Sequence, residues 1–197
     1  MEAGSALADV IYGITNPSGV LAHTVYKASW EVASDFLSMS LREPPGRGHR
    51  YLTSAAAAEH VLFPFGYGGS YSTWAAEVVY VLPATISSAQ LAAGANVTIL
   101  VRVTNTGPVA GARVAHALLS RNAANPAEEW PNTWLPRAGF AKLHGIAPGA
   151  AEEAALVVGA WDLSRWDATR HAFTVRPGTF SVAVRDAAAG TQITVTP

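Results

Sequence analysis

The chain has 197 residues, half of them apolar and 14% charged, with a formal net charge of −1 and no cysteine. This excludes intrinsic disorder as the overall class, and it excludes disulfides, thiol catalysis and thiolate metal sites. The near-neutral charge leaves no electrostatic footprint for nucleic acid or an anionic membrane, and no apolar run approaches a membrane span, so neither partner is expected.

In chain order, "GSALADVIYG" (4–13) predicts a short helix, with Ala6 and Val10, and Leu7 and Ile11, stacking at i, i+4. Ser5 is the expected N-cap and Gly13 sits where a C′ glycine belongs. "TNPSG" (15–19) is a turn. "VLAHTVY" (20–26) then predicts a strand, so the chain opens as a piece of an α/β layer too small to bury its own faces. Two prolines and two glycines in "LREPPGRGHRY" (41–51) argue against regular structure there. "YLTSAAAAEHVLF" (51–63) predicts a helical turn or two.

"LFPFGYGGSYSTW" (62–74) holds five aromatic residues and three glycines in thirteen. Rigid rings alternating with residues that permit close approach predict a tightly folded loop. Beyond it the period changes. "NVTILVRVTNTG" (96–107) alternates cleanly, with Val97, Ile99, Val101 and Val103 on one face. "AEVVYVL" (76–82), "ARVAHALLS" (112–120), "GFAKL" (139–143), "EEAALVVGA" (152–160), "GTFSVAVRD" (178–186) and "TQITVTP" (191–197) bring the total to about seven strands. Short strands separated by turn signals such as "APGA" and "RPGT" predict an antiparallel two-sheet sandwich of immunoglobulin or fibronectin type III kind.

Six stretches carry a resemblance. "GSALADVIYGITNPSG", "PGRGHRYL", "LFPFGYGGSYSTW", "VTNTGPVAGARV" (103–114) and "GFAKLHGIAPGA" (139–150) with "WDLSRWD" (161–167) follow one another in the order and spacing of the C-terminal part of glycoside hydrolase family 3. The chain resembles that part of these exo-acting β-glucosidases and β-xylosidases. It departs from the family pattern at Ile14 (Asp in the family), at Val20-Leu21-Ala22 (Arg-Leu-Pro) and at Gly69 (Leu). The resemblance implies a mainly β fold: a fibronectin type III-like antiparallel β-sandwich over 73–197, with an aromatic hinge at its start. It is preceded over 1–72 by the C-terminal remnant of an α/β sandwich domain. Retaining glycoside hydrolysis needs two carboxyls about 5–5.5 Å apart. The resemblance places both of the family's carboxylates upstream of this chain, so the chain alone is expected to be non-catalytic.

The acids present do not suggest a replacement. Glu128-Glu129 and Glu152-Glu153 are adjacent pairs, and neighbours on a strand point to opposite faces. The six histidines have no ligand-like spacing, so no metal and no cofactor is expected. Ser70 in "GGSYS" lacks the second glycine of a nucleophile elbow. Arg47, Arg50, Tyr51 and Tyr67 are candidate contacts to sugar at the rim of the parent's pocket, with Arg47 tied to local backbone carbonyls as the competing reading. Trp130 and Trp134 in "NPAEEWPNTWLP" (125–136) could stack on sugar rings or cap the sandwich. The expected partner is a β-linked oligosaccharide or polysaccharide, met through the parent enzyme. Self-association through the incomplete α/β part is also expected. The alternative is a carbohydrate-binding or structural β-sandwich module. The N-terminus, "MEAGSALADV", has no basic n-region, whereas the resembled enzymes are often secreted.

Overall fold

A computed structural model of the protein describes residues 2–52, 54–121 and 139–197. Helix α1 spans Ala3–Ile11, and Gly13 ends it in the left-handed region at φ +75°. Ser5 lies inside α1 rather than capping it. The N-cap is Glu2, whose side chain makes no capping hydrogen bond. The strand expected over 20–26 shrinks to β1, Val25–Tyr26, which pairs antiparallel with β2, Val61–Phe63. Residues 20–24 run alongside the aromatic hinge instead, where Leu21 N–H donates to the Tyr67 carbonyl at 2.7 Å and Leu21 O accepts from Gly66 N–H at 2.8 Å. Three short helices follow β1: α2 (Trp30–Ala33), α3 (Gly48–Tyr51) and α4 (Ser54–His60). The turn of α3 corrects the expectation that 41–51 holds no regular structure. The two prolines precede it, and the chain is free to coil once past Gly46.

The sandwich begins at β3, Trp74–Leu82. The chain then crosses to the other sheet as β4, Thr85–Ser87. It turns through α5, Ser88–Ala92, and returns as β5, Val97–Asn105. A reciprocal capping box starts α5: Gln90 N–H donates to Ser87 Oγ at 3.1 Å, and Ser87 N–H donates to Gln90 Oε1 at 2.9 Å. Strands β6 (Gly111–Arg121), β7 (Phe140–Ile146), β8 (Ala151–Val158), β9 (Ser164–Asp167), β10 (Ala172–Val175), β11 (Gly178–Val184) and β12 (Thr191–Thr196) complete the order. All seven expected strands form. The short β4 and the β9–β10 hairpin are additional.

One sheet runs β3-β5-β8 and the other β4-β12-β11-β6-β7. Their facing sides make the core. Val97, Ile99, Val101 and Val103 of β5 meet Ala117 and Leu119 of β6, Phe180 and Val182 of β11, and Ile193 and Val195 of β12, all buried. At about 25 cal/mol per Å² of apolar surface removed from water, this continuous core is the main stabilising term of the chain. A bulge at Val79 shifts the core-packing positions of β3 from Trp74, Ala76 and Val78 to Val81. The first 65 residues contrast sharply, because among those described only Gly46 and Ala56 are buried. Val32, Phe36 and Met39 are each at least 94% exposed.

Candidate functional site at the aromatic junction

The N-terminal layer and the sandwich meet along residues 62–74. Asn16 of the "NPSG" turn ties three segments together. Its Oδ1 accepts from Ser70 Oγ at 3.0 Å and from Tyr71 N–H at 2.9 Å, and its Nδ2 donates to the Ala110 carbonyl at 3.3 Å. Tyr71 Oη reaches back to the Val10 carbonyl of α1 at 2.5 Å. Gly68 allows a close approach, since a Cβ there would collide with the Gly19 carbonyl oxygen.

The sandwich side is anchored on Asn105, fully buried at the end of β5. Its Oδ1 accepts from Ser72 Oγ at 2.5 Å and Gly107 N–H at 3.1 Å. Its Nδ2 donates to the carbonyls of Val109 at 2.8 Å and Ile146 at 2.9 Å. Every side-chain valence of this amide is used. A Cβ on Gly107 would strike Ser72 Oγ and Thr73 N, so "NTG" is a fitted surface for the hinge as well as a turn. Beside it the buried Arg113 donates from Nε to Asp186 Oδ2 at 2.8 Å and lies 5.8 Å from the Trp74 ring centre.

The rings of the hinge pack in a column. His49 stacks on Phe65 with centroids 4.0 Å apart, and Phe65 leans on His116 at 5.3 Å. Burial holds the His49 imidazole below its ordinary pKa, helped by Arg50 and then His116; burial and then Arg185 do the same to His116. Unfolding therefore takes up protons near pH 6.5, the ordinary histidine range, that the folded chain refuses. Stability is complete above that window and falls as the pH drops through it. Melting temperature should decline between about pH 7.5 and about pH 5.5, and His49→Gln with His116→Gln should flatten the slope. An unchanged slope in that double variant would remove these two groups from the account.

The candidate sugar contacts do not converge. Arg47 is absorbed locally, donating to Ser34 Oγ at 3.0 Å, to the Ser38 carbonyl at 2.8 Å and to the Asp35 carbonyl. Tyr51 lies under Arg42, 5.5 Å from ring centre to guanidinium. Arg50 is exposed on α3. Tyr67 is exposed beside Phe63, with ring centres 4.7 Å apart. Trp130 and Trp134, and the pair Glu128-Glu129, lie outside the described residues. Glu153 pairs with Arg102 at 2.7 Å on the outer face of the β3-β5-β8 sheet, and Arg102 also pairs with Glu77. Among the described residues no group of three or more His, Asp or Glu could hold a metal ion. Sequence reasoning missed the exposed ring cluster of Trp161, Trp166 and Phe173. Its rings are tilted against one another by 56° and 70° rather than coplanar, and each residue is about half exposed. It missed Asn16 and Asn105 too, reading both only as turn formers.

The model of the fibronectin type III-like domain matches residues 123–188. A "Beta-glucosidase cel3A" of Pyricularia oryzae is 33% identical over 93% of this chain and 26% of its own length. A "Xylan 1,4-beta-xylosidase" of Xylanibacter ruminicola is 34% identical over 92% of this chain and 18% of its own. The crystal structure of a GH3 β-glucosidase of Bifidobacterium adolescentis superposes with a TM-score of 0.73 at 27% identity, covering 98% of this chain and 28% of that one. The chain corresponds to the C-terminal part of a glycoside hydrolase family 3 protein. It spans about a quarter of the length of the first curated relatives it matches. Measured against the family 3 pattern, the altered residues Ile14, Val20 and Gly69 flank the junction. Its hydrogen bonds through Asn16, Ser70 and Tyr71 are nevertheless intact.

Proposed function

We propose that the chain is the C-terminal accessory part of a family 3-like exo-β-glycosidase. It is non-catalytic alone, and the parent hydrolyses a β-glucoside or β-xyloside whose sugar it meets through other domains. The observation that carries this reading is the similarity, over 93% of the chain, to a β-glucosidase. On this reading residues 1–72 are the remnant of the α/β sandwich layer and 73–197 the fibronectin type III-like domain. The apolar side chains exposed on the first layer, Val32, Phe36 and Met39 among them, then pack against the remainder of the enzyme. Without that cover they drive self-association. Arg47, held by Ser34, Asp35 and Ser38, shapes the loop behind the pocket rim rather than touching sugar, and Arg50, Tyr51 and Tyr67 stay available at the rim.

The purified chain should release no aryl alcohol from an aryl β-glucoside or an aryl β-xyloside. Turnover that survives purification and disappears when one Asp or Glu is changed to its amide would overturn the non-catalytic assignment.

A further inference from the structure

The Pro64–Tyr67 turn does not lie flat on the sandwich. Between it and the outer face of the five-stranded sheet is a cavity of about 350 Å³, lined by Phe65, Tyr67, His116, Leu118 and Arg185 among others. His116 and Leu118 stand on β6, alternating with the core residues Ala115, Ala117 and Leu119. Arg185 follows the last residue of β11 and donates its backbone N–H to the His116 carbonyl at 3.0 Å.

The charge balance of this cavity is uneven. The Arg185 side chain is 17% exposed, and its Nη1 is buried with no hydrogen-bond acceptor among the described residues. Its nearest carboxylate oxygen, Asp186 Oδ2, is 3.8 Å from Nε and already takes Arg113 at 2.6 Å and 2.8 Å. Two guanidinium groups thus share one carboxylate. Among the described residues the other titratable or charged groups around the cavity are His116 on β6, Tyr67 of the hinge, and His49 and Arg50 on α3. None of the described lining residues is acidic. The buried His49 Nε2 likewise has no hydrogen-bond partner among the described residues. A buried cation is stable when an anion satisfies it, and a guanidinium fork suits a planar carboxylate held by two parallel bonds. Phe65, Tyr67 and Leu118 supply apolar walls for the body of such a ligand, and the volume falls within the range of small-molecule pockets, about 300–1,000 Å³.

We propose that this cavity is a binding site for a small organic carboxylate with a six-membered ring, its carboxylate received by Arg185 and flanked by His116, and its ring set against Phe65 and Tyr67. The inference is independent of the glycosidase reading. A uronate and an aromatic acid share this chemistry. Burial and the neighbouring Arg185 now disfavour the His116 imidazolium, and a bound carboxylate would restore it. Binding therefore takes up protons and strengthens on acidification. If the imidazole pKa rises by about one unit on binding, the affinity gain is up to about tenfold.

The test is calorimetric titration of the full chain with glucuronate and with benzoate, using glucose as the neutral control, at about pH 7.5 and about pH 6. Either carboxylate should bind in the millimolar range or better, more tightly at the lower pH, and glucose should not. Binding of glucuronate alone would name a sugar acid and of benzoate alone an aromatic acid, both within the proposal. Arg185→Met should abolish binding. Arg185→Lys, which keeps the charge and loses the fork, should weaken it by about tenfold and serves if the methionine variant does not fold. His116→Asn should keep binding at the higher pH and lose the gain at the lower. No heat with either carboxylate at millimolar concentration, or undiminished binding in the Arg185→Lys protein, would overturn the site.

Discussion

Asn105→Leu should cost the sandwich about 3–5 kcal/mol, close to the whole stability of many domains. The leucine would fill the volume but make none of the four side-chain hydrogen bonds. It would strand the Ile146 carbonyl and the Ser72 hydroxyl in a buried site, and leave the part-buried Val109 carbonyl and Gly107 N–H without their side-chain partner. Each orphaned group costs about 1–3 kcal/mol. Thr104→Ala, one residue earlier on the outward side of β5, should change stability by no more than about 0.5 kcal/mol. Urea unfolding of both variants against the parent chain measures the difference. A loss below about 1 kcal/mol for Asn105→Leu would show that the turn reorganises around the substitution and that the amide is not the anchor.

Limited proteolysis should remove the first layer long before the sandwich is touched, with the stable fragment starting between Ser70 and Trp74. The reasoning is about cover. Helix α1 has no buried residue, and β1–β2 is a two-stranded pair that buries little. Helices in proteins owe their stability mostly to packing, so α1 should open with a small free energy while the core strands require global unfolding. A gap of about 3 kcal/mol between the two makes the cleavage rates differ by about a hundredfold. Mass mapping over a concentration series separates two causes of protection. Protection of Gly4–Val25 that grows with protein concentration would mean copies cover the exposed face. Equal protection of both parts in dilute monomer would refute the two-part organisation.

How much of this was legible in the sequence varied with how local the physics is. Strand β5 was readable because both sheet neighbours and the opposing sheet enforce a period of two, and its burial alternates without a break from Val97 to Asn105. The two-residue β1 was overestimated. Val20–Tyr26 has strand-forming side chains, but the neighbouring hinge takes the hydrogen bonds of Leu21 that a ladder would need. The turn of α3 was hidden because Pro44, Pro45 and Gly46 dominate local propensity up to Arg47. Asn16 and Asn105 were visible only as turn formers, since nothing within a few residues of either indicates partners 55 or 41 positions away. The Arg185 cavity follows the same rule. It exists only because β6, the end of β11 and the hinge come together in space.

The place of β12 bears on how the protein is made. Thr191–Thr196 lies inside the five-stranded sheet, antiparallel to β11 on one side and parallel to β4 on the other. A ribosome delivers it after every other element named here. Until it arrives, β4 and β11 each present an open edge, and Ile86 and Phe180 face a half-built core. The nascent sandwich must therefore wait with two sticky edges exposed, a state that invites pairing with another chain. Slow synthesis of the last stretch, or loss of a few residues from it, would be felt as aggregation during production more than as a lower melting point of whatever folds.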